Sequence, residues 1–135
     1  MQSSNRDLCL YRMQSAKETL DMANICIQSN HYKDAINRSY YACFHAIRAI
    51  LAMEQIDFKR HKDVIAYFNK TYVATGLFDK NLGRMLAQLQ LKREKSDYDD
   101  FYVVSNEEAE VQCDNALSII NATEVFLLQK HEISL

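Results

Sequence analysis

The sequence predicts an all-α protein, an antiparallel helical bundle of four long helices and one short helix. The 135-residue chain has no proline and only two glycines, and these two residue types interrupt helices most strongly. Apolar residues recur at spacings of three and four along most of the chain, which is typical of amphipathic helices. No run of alternating β-branched residues between turns indicates a strand. The length predicts a single domain over residues 1–135, with a core that needs neither disulfides nor a structural metal.

The first two helices are predicted on either side of a polar break. The first runs from about Ser4 to Ser29, and Asn30 is a candidate left-handed cap after it. The second covers about Lys33 to Gln55. Their expected core faces consist of small, aliphatic and aromatic side chains at helical spacing: Cys9, Met13, Ala16, Leu20, Ala23 and Ile27 in the first, and Ile36, Tyr40, Cys43, Ile47 and Ile50 in the second.

Two further helices follow a basic segment. A short one is predicted from about Arg60 to Ala74, ending at Gly76. Asp79 is a candidate N-cap for the fourth, whose apolar stripe contains Leu82, Leu86 and Leu89. We expect the acidic and aromatic segment EKSDYDDFYVV, residues 94–104, to form a loop.

The fifth helix begins with a capping box. Ser105 and Glu108 have the spacing at which each side chain satisfies a backbone N–H of the first turn. Small residues are frequent on its expected core face and on that of the first helix, so these two helices are predicted to pack closely as an antiparallel pair. The stripe of the fifth helix is Ala109, Cys113, Ala116, Ile120, Thr123 and Leu127.

Composition excludes several classes of protein. The formal charge of −2 does not favour nucleic acid over the whole surface, so contact with RNA would need a local basic patch. No apolar run approaches the ~18 residues of a membrane span and no leader opens the chain, so we expect a cytoplasmic protein without a membrane partner. The histidines form no HExxH or i,i+4 pair, and we expect no metal and no cofactor. The cysteines form no CxxC pair and are expected to be reduced and mostly buried: Cys9, Cys26, Cys43 and Cys113.

Polar groups recur on one side of the second helix, in residues 37–51, NRSYYACFHAIRAIL. Arg38 and His45 are seven residues apart, which places them on one face about 10 Å apart. Tyr41 lies between them and Arg48 extends the row. Such residues are usually satisfied by the core or by a carboxylate. The alternative is phosphate chemistry, in which histidine transfers a proton and arginine binds phosphate oxygens.

The same stretch resembles the second helix of the HEPN family, small helical domains named for higher eukaryotes and prokaryotes nucleotide-binding. The segments KRHKD, GLFD and REKSDYD extend the resemblance over nearly the whole chain, and RSYYACFHA is its most specific part. The resemblance implies a metal-independent ribonuclease in which Arg38 and His45, with six residues between them, face a cleft shared by two protomers. His45 would move the proton and Arg38 would stabilise charge on the phosphoryl group.

The resemblance also implies partners: a second copy in a homodimer, RNA or nucleotide, and a nucleotidyltransferase antitoxin in a toxin–antitoxin module. Asn37, Ser39, Tyr41 and Arg48 are expected to line the cleft. Ser39 stands where toxins of the family often have asparagine or aspartate, and Ile47 stands where some have a modified tyrosine. The alternative hypothesis is a non-catalytic domain that binds nucleotide or a protein partner through the same cleft.

Two other basic features admit two interpretations. The densest basic run consists of Lys59, Arg60, His61 and Lys62. It is either a solvated helix entrance or a phosphate or RNA contact beside the cleft. Arg93 extends the apolar stripe of the fourth helix, and we expect it to be held by Asp97 and Asp99 as a structural clamp.

Overall fold

The computed structural model describes the backbone of residues 2–135 and the side chains of residues 4–135. Its five α-helices confirm the predicted all-α bundle, and a π-helical segment over Asn69–Val73 directly continues the third. The helices are α1 (Gln2–Gln28), α2 (Tyr32–Met53), α3 (His61–Phe68), α4 (Lys80–Tyr98) and α5 (Asn106–His131). No helix within residues 2–135 combines the length and apolar character that a membrane span requires.

Helix α2 lies at the centre of the bundle. It packs against α1, α4 and α5, and its contact with α1 is the most extensive in the molecule. Most of its side chains are buried, which explains why apolar residues occupy more than one stripe of this helix. Because α2 touches every other long helix, a polar group on it lies next to residues from several elements.

The α1–α2 hairpin turns at Asn30. This residue has the left-handed conformation predicted for it, with φ 63°. The backbone N–H of His31 donates to the carbonyl of Cys26 at 2.7 Å, which closes the end of α1. In an antiparallel hairpin, residues equally distant from the turn face each other, and Arg12 and Arg48 each lie eighteen residues from Asn30.

Three further helix ends use left-handed residues, as α1 does at Asn30. Gln55 follows α2 with φ 60°, Glu132 follows α5 with φ 56°, and Gly76 follows the π segment with φ 83°. Each is accompanied by a backbone hydrogen bond that returns to the preceding helix. At the helix N-termini, Asp79 caps α4 and Ser105 caps α5 as predicted. Each side chain accepts a hydrogen bond from a backbone N–H.

The loop predicted over residues 94–104 is wrong for its first half, whereas the predicted contact between α1 and α5 is confirmed. Residues 94–98 are helical, because α4 extends to Tyr98 and the loop is restricted to 99–105. This segment contains no glycine or proline to stop the helix, and Arg93 pairs with Asp97 one turn on. Helix α1 contacts α5 as predicted: Lys17 pairs with Glu124 and Asn24 with Cys113, the order of an antiparallel pair. Its more extensive contact is with α2, since a short turn holds consecutive helices together.

The predicted core faces are confirmed. The stripe of α1 from Cys9 to Ala23 and the full stripe of α5 are buried. Cys9, Cys43 and Cys113 are buried free thiols and Cys26 is half-buried. Burial raises the pKa of Cys9 to about 11 and also raises the pKa of Cys43, so these thiols are protonated and unreactive at neutral pH.

Candidate functional site

The polar row of α2 is arranged differently at its two ends. Arg38 is exposed, and among residues 4–135 its side chain has no hydrogen bond or ion pair. His45, two turns further on, is half-buried, as are Tyr41 and Arg48. The charges that act on His45 come from Arg48, Arg12 and His61, and Arg38 is not among them.

Arg12 reaches this region from α1. Its Nη1 donates to the backbone carbonyl of Arg48 at 2.9 Å. The contact follows from the hairpin, which places these two residues opposite each other. It anchors one guanidinium against α2 and leaves it half-buried beside the side chain of Arg48.

His61, the first residue of α3, lies on the ring of Phe44. The ring centroids are 4.0 Å apart and the planes differ by 23°, which is a stacked arrangement. The Tyr41 ring forms a T-shaped pair with the imidazole, with centroids 5.7 Å apart and planes at 78°. The guanidinium carbon of Arg48 is 6.0 Å from the same Phe44 ring. Two aromatic residues of α2 thus hold His61 close to Arg48.

Arg93 approaches from α4. Its guanidinium carbon is 4.8 Å from the centre of the Tyr40 ring and 5.3 Å from that of Tyr41. Its Nη2 donates to the hydroxyl of Tyr41 at 3.3 Å. Its Nε lies 3.3 Å from Asp97, at ion-pair distance but not aligned for a hydrogen bond. The predicted clamp is confirmed for Asp97 and wrong for Asp99, whose carboxylate instead accepts the backbone N–H of Phe101.

These side chains form one group, which we call the basic cluster: Arg12, His45, Arg48, His61 and Arg93. Four helices contribute to it. Two carboxylates adjoin it, with Asp57 3.4 Å from Arg48 and Asp97 beside Arg93. Three guanidiniums against two carboxylates leave a local excess of positive charge before either imidazole is protonated. An anion bound here would relieve that repulsion.

The electrostatics keep both imidazoles neutral. Burial lowers the pKa of His45 below its ordinary value of 6.5, and the charges of Arg48, Arg12 and His61 lower it further. Burial lowers the pKa of His61 as well, with Arg93 and Arg48 adding to the effect. Burial and the neighbouring Arg48 also lower the pKa of Arg12. At pH 7 the free protein therefore presents neutral histidines that can accept a proton.

Asn37 and Ser39, which were also expected to line the cleft, differ in burial. Asn37 is half-buried beside Arg38. Ser39 is fully buried and contacts the thiol of Cys113 on α5, so its expected place in a cleft is wrong for this chain. One step of about 100° along the helix separates it from Arg38 and turns it into the core.

The basic run does not act as one patch. Arg60 occupies the N-cap position of α3 without a side-chain cap bond and pairs with Asp63 at 3.1 Å, while Lys59 and Lys62 are exposed. Only His61 turns inward onto α2. The exposed Lys59, Arg60 and Lys62 fit the interpretation as a solvated helix entrance. His61 belongs to the basic cluster instead.

Two members of the cluster were not predicted as site residues. Arg12 borders the apolar stripe of α1, and Arg93 was expected to act only as a structural clamp. A basic residue at the edge of an apolar stripe is a weak signal, because the stripe does not reveal which helix it faces. The sequence did hold one indication for Arg12: it and Arg48 lie equally far from the polar break at Asn30, so an antiparallel hairpin brings them together.

Several surface concavities lie away from the basic cluster. One of about 290 Å³ between α4 and α5 is lined by apolar residues that include Leu77, Phe78 and Phe126. Another, of about 480 Å³, combines Lys92 with Glu107 and Glu108. Neither contains a histidine with a shifted pKa. The convergence of titratable groups, rather than cavity volume, marks the basic cluster as the candidate site.

The sequence was compared with known proteins. The family model described as HEPN domain matches residues 10–126. A UPF0332 protein of Thermotoga maritima is 30% identical over 114 residues, which are 84% of this chain and 86% of the relative. Two Methanocaldococcus jannaschii proteins are named as candidate toxins. One is 27% identical over 88% of this chain and 81% of its own length. The other is 35% identical over 62% of each.

Proposed function

The chain belongs to the HEPN domain family, and from that premise we propose that it is a toxin-type, metal-independent endoribonuclease that works as a homodimer in the cytoplasm. Its proposed substrate is RNA, and the attack would come from the 2′-hydroxyl of the ribose. The proposed catalytic residues are His45 and Arg38. Tyr41, Arg48 and Asn37 would border the cleft, and a nucleotidyltransferase would be the antitoxin.

The observation that supports this proposal best is the setting of His45. It is half-buried, its pKa is lowered, and guanidiniums from α1 and α2 lie around it. A neutral imidazole is a competent general base at neutral pH, and a guanidinium beside it can bind the oxygens of the phosphoryl group. The site needs no metal ion for either task.

In the proposed reaction, His45 takes the proton of the ribose 2′-hydroxyl. The oxygen attacks the adjacent phosphorus, the bond to the 5′-oxygen breaks, and that oxygen receives a proton. The products are a 2′,3′-cyclic phosphate and a 5′-hydroxyl end. Guanidinium groups stabilise the charge that accumulates on the non-bridging oxygens in the transition state.

The relatives support the biological part of the proposal. Two of them are named as candidate toxins. Catalysis of RNA breakdown accounts for toxicity, and a partner protein that masks or modifies the enzyme accounts for its control. A homodimer would enclose the exposed Arg38, which has no partner within the described part of this chain.

The test is cleavage of a labelled RNA panel in EDTA. Purified wild type is compared with His45→Ala and Arg38→Ala, and with His31→Ala and Arg84→Ala, which remove the same residue types from exposed positions elsewhere. We expect cleavage by the wild type and both controls, cyclic phosphate ends, and loss in the two site variants with unchanged melting curves. Absence of cleavage by wild type contradicts the proposal.

A second candidate function is binding of nucleotide without cleavage. The observation that favours it is that Arg48 and Arg12, rather than Arg38, are the guanidiniums that lower the pKa of His45. The basic cluster would then hold an anionic ligand with Arg12, Arg48 and Arg93. Calorimetric titration with nucleotides tests this: binding lost in Arg48→Ala, together with inactivity of the wild type on RNA, would select this function.

A further inference from the structure

We propose that His61 is the general acid of the reaction, so that one chain contains both proton-transfer groups, His45 and His61. This inference rests on the proposed ribonuclease function. It differs from an arrangement in which the second imidazole is His45 of another protomer. The geometry of α3 against α2 is the basis for it.

The position of His61 suits a group that meets substrate. The residue is exposed, yet its ring is held by a stacked contact with Phe44 and a T-shaped contact with Tyr41. Neither imidazole nitrogen has a hydrogen-bond partner among residues 4–135. A ring that is oriented by stacking alone keeps both nitrogens available, and its orientation costs little when substrate binds.

The charges around His61 suit a phosphate. Arg48 of α2 and Arg93 of α4 both act on it, and His61 in turn lowers the pKa of His45. Tyr41, the other titratable group in contact, forms a T-shaped ring pair with His61, and its hydroxyl accepts a hydrogen bond from Arg93. A phosphodiester bound at this cluster would have guanidiniums for its oxygens and two imidazoles for proton transfer.

The two histidines differ in the way that an acid and a base must. His45 is the more enclosed and has two guanidiniums, Arg48 and Arg12, acting on it, which favours its neutral form, the base. His61 is exposed, so a bound phosphodiester anion can raise its pKa and keep it protonated. In the step, His45 gains the 2′-hydroxyl proton and the protonated His61 gives its proton to the departing 5′-oxygen. Atoms and charge balance without another reactant.

The experiment uses two RNA substrates, one with the natural 5′-oxygen and one with sulfur bridging phosphorus and the 5′-carbon. A thiolate leaves without protonation, so loss of a general acid affects the oxygen substrate alone. We expect His61→Asn to lose on the order of 10²-fold or more on the oxygen substrate and to match wild type on the sulfur substrate. His31→Asn, an exposed histidine outside the cluster, is the matched control, and melting curves verify folding.

The pH profile gives a second readout. With the oxygen substrate, the wild-type rate should rise as His45 loses its proton and fall as His61 loses its own. The falling limb should be absent for the sulfur substrate. Equal loss on both substrates, or wild-type rates of His61→Asn on the oxygen substrate, would overturn the role of His61 while leaving the ribonuclease standing. A wild type that cleaves neither substrate would overturn both.

Discussion

The imidazole of His61 stacks on the ring of Phe44, with centroids 4.0 Å apart and planes 23° from parallel. This contact joins the first residue of α3 to the middle of α2, next to His45. It is the means by which a short helix with few other contacts to α2 supplies a titratable group to the basic cluster. The pair belongs to a larger aromatic group in which Tyr41 contacts both members.

Replacement of Phe44 by leucine tests that contact. Phe44→Leu should lower the free energy of unfolding by about 1 kcal/mol, since an aromatic pair is lost along with some packing. The Hε1 resonance of His61 should move downfield because the ring current of Phe44 disappears. Phe58→Leu, which removes an aromatic contact with Tyr67 instead, is the control. An unmoved His61 resonance in Phe44→Leu would contradict the stacked geometry.

The lowered pKa values of His45 and His61 predict a pH-dependent stability. Between the ordinary value of 6.5 and the lowered values, the unfolded chain binds more protons than the folded one. The free energy of unfolding therefore rises with pH through this window and is highest above 6.5. Urea denaturation at a series of pH values measures it.

The double variant His45→Gln with His61→Gln isolates that effect. Its unfolding free energy should change less over the same pH window, because the two imidazoles no longer titrate. The change that remains comes from the other titratable groups. At acid pH, inorganic phosphate should reduce the loss of unfolding free energy in the wild type more than chloride of equal ionic strength does. The reason is that an anion bound at the basic cluster favours the protonated imidazoles. Parallel pH curves for wild type and double variant would refute the histidine origin.

Arg93 is predicted to stabilise the packing of α4 on α2. Arg93→Met retains an apolar stem over Tyr40 but removes the charge and the bond to Tyr41. We expect a loss of about 1–2 kcal/mol from the two cation–π contacts and the hydrogen bond. Asp97→Asn removes only a partly solvated ion pair, with an expected cost of about 0.5 kcal/mol. Equal shifts of the urea midpoint would mean that the ion pair, not the tyrosine contacts, is dominant.

Gln55 is predicted to be a site where glycine stabilises the protein. It is exposed and has φ 60° after α2, a conformation that disfavours side chains with a Cβ. Gln55→Gly should raise stability by about 0.5–1 kcal/mol, visible as a higher Tm. Gln55→Ala keeps the Cβ and should show no gain. A fall in Tm for Gln55→Gly would show that its side chain has a stabilising role.

Local rules accounted for most of the fold. The turn at Asn30, the caps at Asp79 and Ser105, and the buried stripe of α5 all depend on residues within one or two turns of each other. The error over residues 94–98 has a local cause too. A mixed polar and aromatic segment has no apolar periodicity, yet it can continue a helix when no glycine or proline ends it.

The candidate site was predicted in part. His45 and Arg48 were expected together, because they are three residues apart on one helix. The seven-residue spacing of Arg38 and His45 indicated a common face. It could not show that Arg48 and Arg12 would be the guanidiniums that lower the pKa of His45. Ser39 illustrates the opposite error, since a single step along the helix turned an expected cleft residue into the core.

The sequence by itself determined the helical class, the positions of most helix ends and the core faces, because backbone hydrogen bonds, caps and apolar periodicity act over a few residues. Only the tertiary structure decided that Arg12, His61 and Arg93 would meet beside His45. These residues lie on separate helices, and their meeting depends on how the helices pack around α2. Helix packing is set by the summed contacts of many side chains, which no single spacing in the sequence records.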